Sequence, residues 1–401
     1  LNKPDIFSQS GFSREEFLRD YWQKQPLVLR RAVRQADLAY LPGKGDLMKL
    51  AERDAVQSRI VVTEETSPDE TNYHVEYGPF EAHDWHHLPQ SPWTLLVSDV
   101  EKWLPSHRRL LGYFPFIRTW QFDDLMFSYA TRGASVGAHT DHYDVFLLQV
   151  SGSREWQFAQ QADPQAALRP DSELKLLKEF RPDHRVTLEA GDLLYLPAEV
   201  AHHGIAIDDD CVTCSVGLRA PAEGELLSGY FEDRASAIGE DTRFSPPIDQ
   251  AQANRRGEIT PEDINRLRQA LQKHTQLDDA RLANWFGRFI TQYRNLFYEL
   301  EASETPPSTE EVRRITQGYL NGEVTLMPDP FARLAWRTRN DNAKTGQAEL
   351  FVNGQAYRCG IALATALCDR QQLDPAQRDA LDSDDHAVIK QLLASGEIRP
   401  K

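Results

Sequence analysis

Cysteine, long apolar runs and positive charge are what this sequence has least of. Its 401 residues hold four cysteines, too few for a disulfide scaffold and in keeping with a reducing compartment, so a cytoplasmic location is expected. No apolar stretch approaches the roughly eighteen residues of a membrane span, and no membrane association is expected. No apolar segment follows Lys3 either, so no secretory leader is read in the opening residues. Lys and Arg number 45 against 61 Asp and Glu, a net charge of −16. Residues 306–401 carry 12 basic against 13 acidic side chains, which leaves −15 on residues 1–305. So acidic a surface repels free nucleic acid and attracts a basic partner. No stretch resembles a phosphate loop, a dinucleotide fingerprint or a Ser/His/Asp triad.

What is present is a hydrophobic content of 40%, enough for real cores in two or three domains. Residues 1–222 begin with a helical pattern over Ser13–Gln23. Short β-like runs follow at 26–30, 58–63, 125–130, 145–150, 155–158, 193–196 and 212–218. Short strands punctuated by Gly and Pro predict a sandwich or barrel rather than a doubly wound sheet. Residues 223–305 read as helical. Thr260-Pro261-Glu262-Asp263 is a helix start, and Leu282, Trp285, Phe286, Phe289, Ile290, Tyr293, Leu296, Phe297 and Leu300 form an aromatic stripe. That stripe must be covered, by the chain's own core or by a second copy. Residues 306–401 read as a small α+β unit with a hairpin at Asn353-Gly354, similar to a winged helix but without its basic face.

The chemistry concentrates in two stretches. Gly133-Ala-Ser-Val-Gly-Ala-His139-Thr-Asp141 precedes an apolar run, and Gly191-Asp-Leu-Leu-Tyr-Leu-Pro197 leads to His202. On extended chain, residues two apart point to one side, so His139 and Asp141 can grip one ion. The two stretches resemble the paired motifs of the cupin superfamily, whose jelly roll brings the distant histidine beside the first pair. The usual His-x-His is His-x-Asp here, and the usual glutamate ligand would fall near Asp144 or Val145. His139, Asp141 and His202 then leave three coordination positions open, which suits non-haem Fe(II) better than zinc. Arg154 alternates with Trp156 and Phe158 on one strand face, where a buried guanidinium needs an anion such as the far carboxylate of a 2-oxo dicarboxylic acid. Ser128, inward on the preceding strand, can add a hydroxyl.

With the stretches 17–29, 78–80, 123–126, 139–146, 191–197, 215–221 and 285–290, the chain resembles the JmjC-type Fe(II)/2-oxoglutarate oxygenases, in particular the bacterial ribosomal oxygenases. The resemblance implies a mainly β catalytic domain, a double-stranded β-helix or jelly roll of cupin-like JmjC type, over residues 1–222. It implies an α-helical dimerisation domain over 223–305, hence a homodimer, and a winged-helix-like domain over 306–401. His139, Asp141 and His202 would hold Fe(II), Arg154 and Ser128 would bind 2-oxoglutarate, and a basic ribosomal protein would be hydroxylated at an arginine. Alternatives are a histidyl hydroxylase, a lysine demethylase, or a metal-binding regulatory cupin. Direct nucleic-acid binding is not expected.

Several attractive residues are set aside. His83, Asp84, His86 and His87 fall in a Pro-rich loop without an apolar frame. His142 follows the ligand pair at odd spacing. His203 is one residue beyond the spacing that selects His202. Cys211 and Cys214, three apart on a strand, face opposite sides and cannot share an ion.

Overall fold

The computed structural model describes residues 5–67, 70–163, 165–170, 172–245, 257–275, 277–292, 307–339 and 346–401. They form two compact units, one up to Ala220 and one from Pro221.

The first unit is built on two antiparallel sheets. Its strands are β1 (Leu27–Leu29), β2 (Ser58–Ser67), β3 (Glu70–Tyr77), β4 (Trp93–Val97), β5 (Phe122–Ala130), β6 (Val145–Ser151), β7 (Ser153–Phe158), β8 (His184–Glu189), β9 (Leu193–Leu196), β10 (His202–Ala206) and β11 (Cys211–Leu218). The larger sheet runs β1-β9-β6-β11-β5-β4-β2-β3 and the smaller β10-β7-β8. Strands buried on both faces read as continuous apolar runs, and β6 is one. Phe146, Leu148 and Val150 face the main core, and Val145 and Leu147 face a second core with Trp156, Phe158, Leu188, Leu194 and Leu196. That second core lies between the two sheets, as in the expected jelly roll. The main core, on the outer face of the large sheet, is aromatic. Phe17, Phe114, Phe146 and Tyr195 are fully buried there, each contributing roughly 1.5–3 kcal/mol.

The helix expected over Ser13–Gln23 is shorter and wider than its pattern. One α-turn, Arg14–Glu16, runs into a π-turn, Phe17–Tyr21, closed by Trp22 N–H donating to Phe17 C=O at 2.9 Å. The wider turn seats Phe17 edge-on to Tyr195 and Trp22, with centroids 4.9 and 5.9 Å apart. Core packing outweighs local helix geometry here.

In the second unit, helix Glu223–Ser236 begins where the sequence places the helical zone. Helix Pro261–Gln272 starts as its residues predict, with Thr260 Oγ1 accepting from Asp263 N–H and Asp263 Oδ2 accepting from Thr260 N–H at 2.9 Å. Helix Asp279–Gln292 carries the described part of the aromatic stripe; Tyr293, Leu296, Phe297 and Leu300 lie outside the described residues. Trp285 and Ile290 are buried, and Trp285 packs on Tyr230. A Cβ on Gly287 would lie 2.3 Å from the Phe351 ring, so only glycine lets this helix meet the hairpin of Gln347–Val352 and Gln355–Gly360. Trp285 and Ile290 of this half are internal core, while Leu282, Phe286 and Phe289 are partly buried. Helix Pro261–Gln272 differs: its Ile264, Leu267 and Leu271 are 45%, 38% and 56% exposed. Helices Thr309–Leu320, Ile361–Cys368 and Ser383–Ala394 complete an α+β unit with its own apolar core. Among the described residues, no helix is long and apolar enough to cross a membrane.

Candidate metal centre and co-substrate pocket

His139 and His202 form one antiparallel bridge, each N–H donating to the other's carbonyl, at 3.0 and 2.9 Å. The bridge holds the two rings with centroids 4.3 Å apart. Asp141 is fixed to the same turn, its carbonyl accepting from Glu199 N–H at 2.7 Å. One ligand atom from each of His139, Asp141 and His202 then lies within 4.8 Å of the others. The segment carrying the first two residues is irregular rather than the strand that the spacing predicts. The bridge and the Asp141 tie place them instead. Gly137, at φ +83°, admits the chain here, for a Cβ would strike Leu176 at 2.7 Å.

Both imidazoles are set for a metal. His139 Nδ1 lies 2.9 Å from Gly137 C=O, and His202 Nδ1 lies 2.9 Å from Val200 C=O. Carbonyls only accept, so each Nδ1 is the donor and each Nε2 is the ring nitrogen left to face a metal. Burial, reinforced by the neighbouring His139 and opposed by Asp141, pushes the His202 pKa down to about 4. His202 is therefore neutral at pH 7, the form that binds metal. Two imidazoles and a carboxylate with room for further ligands fit a ferrous ion.

Arg154 shares this chamber. β7 and β10 pair so that Phe158 faces His202, Trp156 faces Gly204 and Arg154 faces Ala206. Directly opposed residues project from one sheet face, so Arg154 lies on the face of His202, about 13 Å along the strand. It is 2% exposed, and its Nε and one terminal nitrogen have no hydrogen-bond partner. Trp156 Nε1 is also buried without one. Small residues, Ala130, Ala134, Ala206 and Cys211, cluster at this end. Ser128 is buried on β5 opposite Thr213 and Leu96, on the face of Ala130. Unsatisfied donors this deeply buried are costly unless an anion completes them.

Three inward polar residues were not singled out from the sequence. Thr213 Oγ1 donates to Gln149 Oε1 at 3.0 Å, and Thr94 Oγ1 is buried without a partner. Each interrupts an apolar strand face, a signal open to period-two reading.

The residues set aside fall elsewhere. Asp84–His86 form a 3-10 turn with exposed His83, His86 and His87 around it, and among the described residues only His139, Asp141 and His202 converge as metal ligands. Asp144 accepts from Tyr195 Oη and from Gln23 Nε2, the latter at 3.4 Å, so it braces the main core rather than a metal. His203 sits opposite Gln157 on the outer face of the small sheet. Cys211 and Cys214 lie in separate cores. His142 turns outward, its Nδ1 2.5 Å from Glu199 Oε1.

Residues 109–226, which include the three converging residues and Arg154, match the JmjC domain family; residues 270–397 match the ROXA-like winged helix. A probable ribosomal oxygenase of Haemophilus influenzae is 34% identical over 329 residues, 79% of this chain and 78% of that protein. The chain belongs to the ribosomal oxygenases. Within this family, the ribosomal protein uL16 3-hydroxylase of Escherichia coli is 31% identical over 74% of this chain and 76% of its own length. The solved structure of YcfD, a ribosomal oxygenase from Escherichia coli in complex with cobalt and 2-oxoglutarate, aligns over 98% of this chain and 99% of its own. Its TM-score is 0.78 at 27% identity.

Proposed function

We propose that this ribosomal oxygenase hydroxylates an arginine side chain of a large-subunit ribosomal protein of the uL16 type, using Fe(II) and 2-oxoglutarate. The observation that carries this reading is the pairing of His139, Asp141 and His202 with an orphan guanidinium on the same inner face. In it, His139, Asp141 and His202 hold the iron. Arg154 takes the distal carboxylate of 2-oxoglutarate, and Ser128 adds a hydrogen bond beside it. Iron with 2-oxoglutarate and dioxygen supplies the oxidising power, and 2-oxoglutarate leaves as succinate and carbon dioxide. The chain's own part is to keep His202 neutral, orient the co-substrate and exclude water with Trp156 and the apolar chamber. The charge of −15 on residues 1–305 favours encounter with a very basic substrate in the cytoplasm.

Residues 1–222 are the catalytic domain of this reading, 223–305 a helical dimerisation domain and 306–401 a winged-helix-like domain. The exposed Ile264, Leu267 and Leu271 supply the face for a second copy. Replacing Ile264 and Leu271 with Asp should give folded monomers by light scattering, whereas Ile290→Asp should unfold the second unit. Folded dimers of the double variant would remove that face from the dimer. For the activity, the purified protein with Fe(II), 2-oxoglutarate and ribosomal proteins should release succinate and add one oxygen to an arginine, located by fragment mass spectrometry. Oxygen on a histidine, or loss of a lysine methyl group, would replace the arginine reading. Succinate release that ribosomal proteins leave unchanged would refute it.

A further inference from the structure

The two histidines of the metal centre are held by unequal means. His202 belongs to β10, and its register is set by the ladder with β7. His139 lies on irregular chain apart from its bridge to His202, and its ring is oriented by Gly137 C=O, 2.9 Å from Nδ1. What holds Gly137 therefore decides where the His139 ring points.

Gly137 rests against two side chains brought from elsewhere. A Cβ on it would lie 2.7 Å from Leu176 Cδ2 and 3.1 Å from Tyr73 Cε2. Tyr73 is on β3, and Leu176 is on the connection between β7 and β8, residues 159–183. Beside it, Leu177 N–H donates to Ala138 C=O at 2.9 Å, between Gly137 and His139. Leu176 and Leu177 are buried, whereas on the facing arm Leu168 and Pro170 are exposed and Arg169 is partly buried. The two arms meet in one bridge, Leu168 opposite Leu177. Across it Arg169 N–H donates to Leu176 C=O and Lys178 N–H to Ala167 C=O, each at 2.8 Å. Pairing this short is marginal on its own. The Arg169 guanidinium fastens it to β3, donating to Thr71 C=O at 3.0 Å and to Asn72 Oδ1 at 3.1 Å. One residue thus ties the strand that bears Tyr73 to the arm that bears Leu176.

Resting on the metal centre of the function proposed above, we infer that Arg169 is a positioning residue for His139. It holds Leu176 and Tyr73 together behind Gly137, Gly137 C=O holds the His139 Nδ1–H, and Nε2 is thereby aimed at the metal. Groups one shell out from a metal set the orientation of its ligands, and losing one typically costs roughly 10–100-fold in affinity. Arg169 acts through further contacts, so the lower end of that range is expected. The effect is confined to His139, because His202 has its own carbonyl, that of Val200, and its own ladder.

Cobalt(II) is the probe, because it reports affinity and ligand geometry without turnover. The wild type should bind it and show two exchangeable imidazole N–H resonances shifted by the metal, one from each histidine. Arg169→Ala should bind cobalt about tenfold more weakly. One of its two resonances should exchange faster with water while the other keeps its rate. Leu176→Ala should do the same, and the double variant should lose little more, since both act through Gly137. Arg169→Lys, which keeps the charge but not the fork, should recover part of the loss. Should Arg169→Ala fail to fold, Leu176→Ala and Arg169→Lys decide alone. If these variants keep cobalt affinity within about twofold of wild type with both resonances unaltered, Arg169 does not position His139, although the metal centre stands. Two resonances that change together would overturn the inference equally, for the effect would then not be confined to His139. A wild type that binds no cobalt would remove the metal centre itself, and this inference with it.

Discussion

Around the start of β5, Asp99, Glu101, Lys102, Asp123, Asp124 and Arg219 gather in one charged group, while Arg154, Trp156, His139 and His202 gather between β7 and β10. The first group is paired in large part within the chain. Lys102 pairs with Asp99, Arg219 lies 3.3 Å from Asp123, and Glu101 accepts from Leu125 N–H at 2.9 Å. The second group is left open, with donors of Arg154 and Trp156 and both histidine Nε2 atoms turned inward. Burial alone does not mark a functional site. A buried polar group whose partners are all within the chain is architecture, and one whose partners are missing is a place for something else.

Asp141→Ala should break the contrast most completely. Iron content, by elemental analysis, should fall to background and turnover should vanish, while circular dichroism stays unchanged because the two sheets carry the fold. Iron retained with activity would remove the His-Asp-His assignment. Arg154→Ala should come next. Removing one partner of a buried charge pair costs roughly 3–5 kcal/mol, or about two to four decades of 2-oxoglutarate affinity. Iron binding should survive, and Arg154→Lys should recover part of the loss. Unchanged 2-oxoglutarate affinity would send the search for the anchor elsewhere in the chamber.

The closed group should respond in the opposite way. Lys102→Met leaves Asp99 and Glu101 without their cation and should lower folding stability by about 3 kcal/mol. The 2-oxoglutarate affinity of the folded fraction should not move; if it does, the two groups are not independent. The smallest effect concerns pH. Burial and the adjacent Asp99 push the Glu101 pKa up to about 7, against an ordinary 4.5, with Lys102 pulling the other way. Across that window the folded state holds a proton that the unfolded state has released, so stability falls as pH rises from 4.5 towards 7 and levels off above. Glu101→Gln should flatten that slope in melting curves taken between pH 5 and 8. An unaltered slope would assign it to another group.

The open site was legible because its chemistry is written in spacing. His139-x-Asp141, the Pro197-to-His202 interval and the alternation of Arg154 with Trp156 and Phe158 each follow from strand or turn periodicity. What escaped reading depends on neighbours distant in the chain. Asp144 looks like a ligand until Tyr195 and Gln23 take its oxygens, and Glu199 looks like loop until its N–H is seen on Asp141. The helical stripe shows the same limit. Periodicity marks a face on Asp279–Gln292 and another on Pro261–Gln272, but only the fold shows that Phe351 and Tyr230 cover the first while the second stays exposed. The π-turn at Phe17 was hidden because its cause, the Tyr195 ring, lies far along the sequence.

The most direct measurement compares intact masses of a uL16-type ribosomal protein before and after incubation with this protein, Fe(II), 2-oxoglutarate and air, beside the Asp141→Ala variant. A gain of one oxygen atom, matched by one succinate and absent without 2-oxoglutarate or with Asp141→Ala, is the predicted result. A substrate mass that stays unchanged while the protein binds both iron and 2-oxoglutarate would contradict the account.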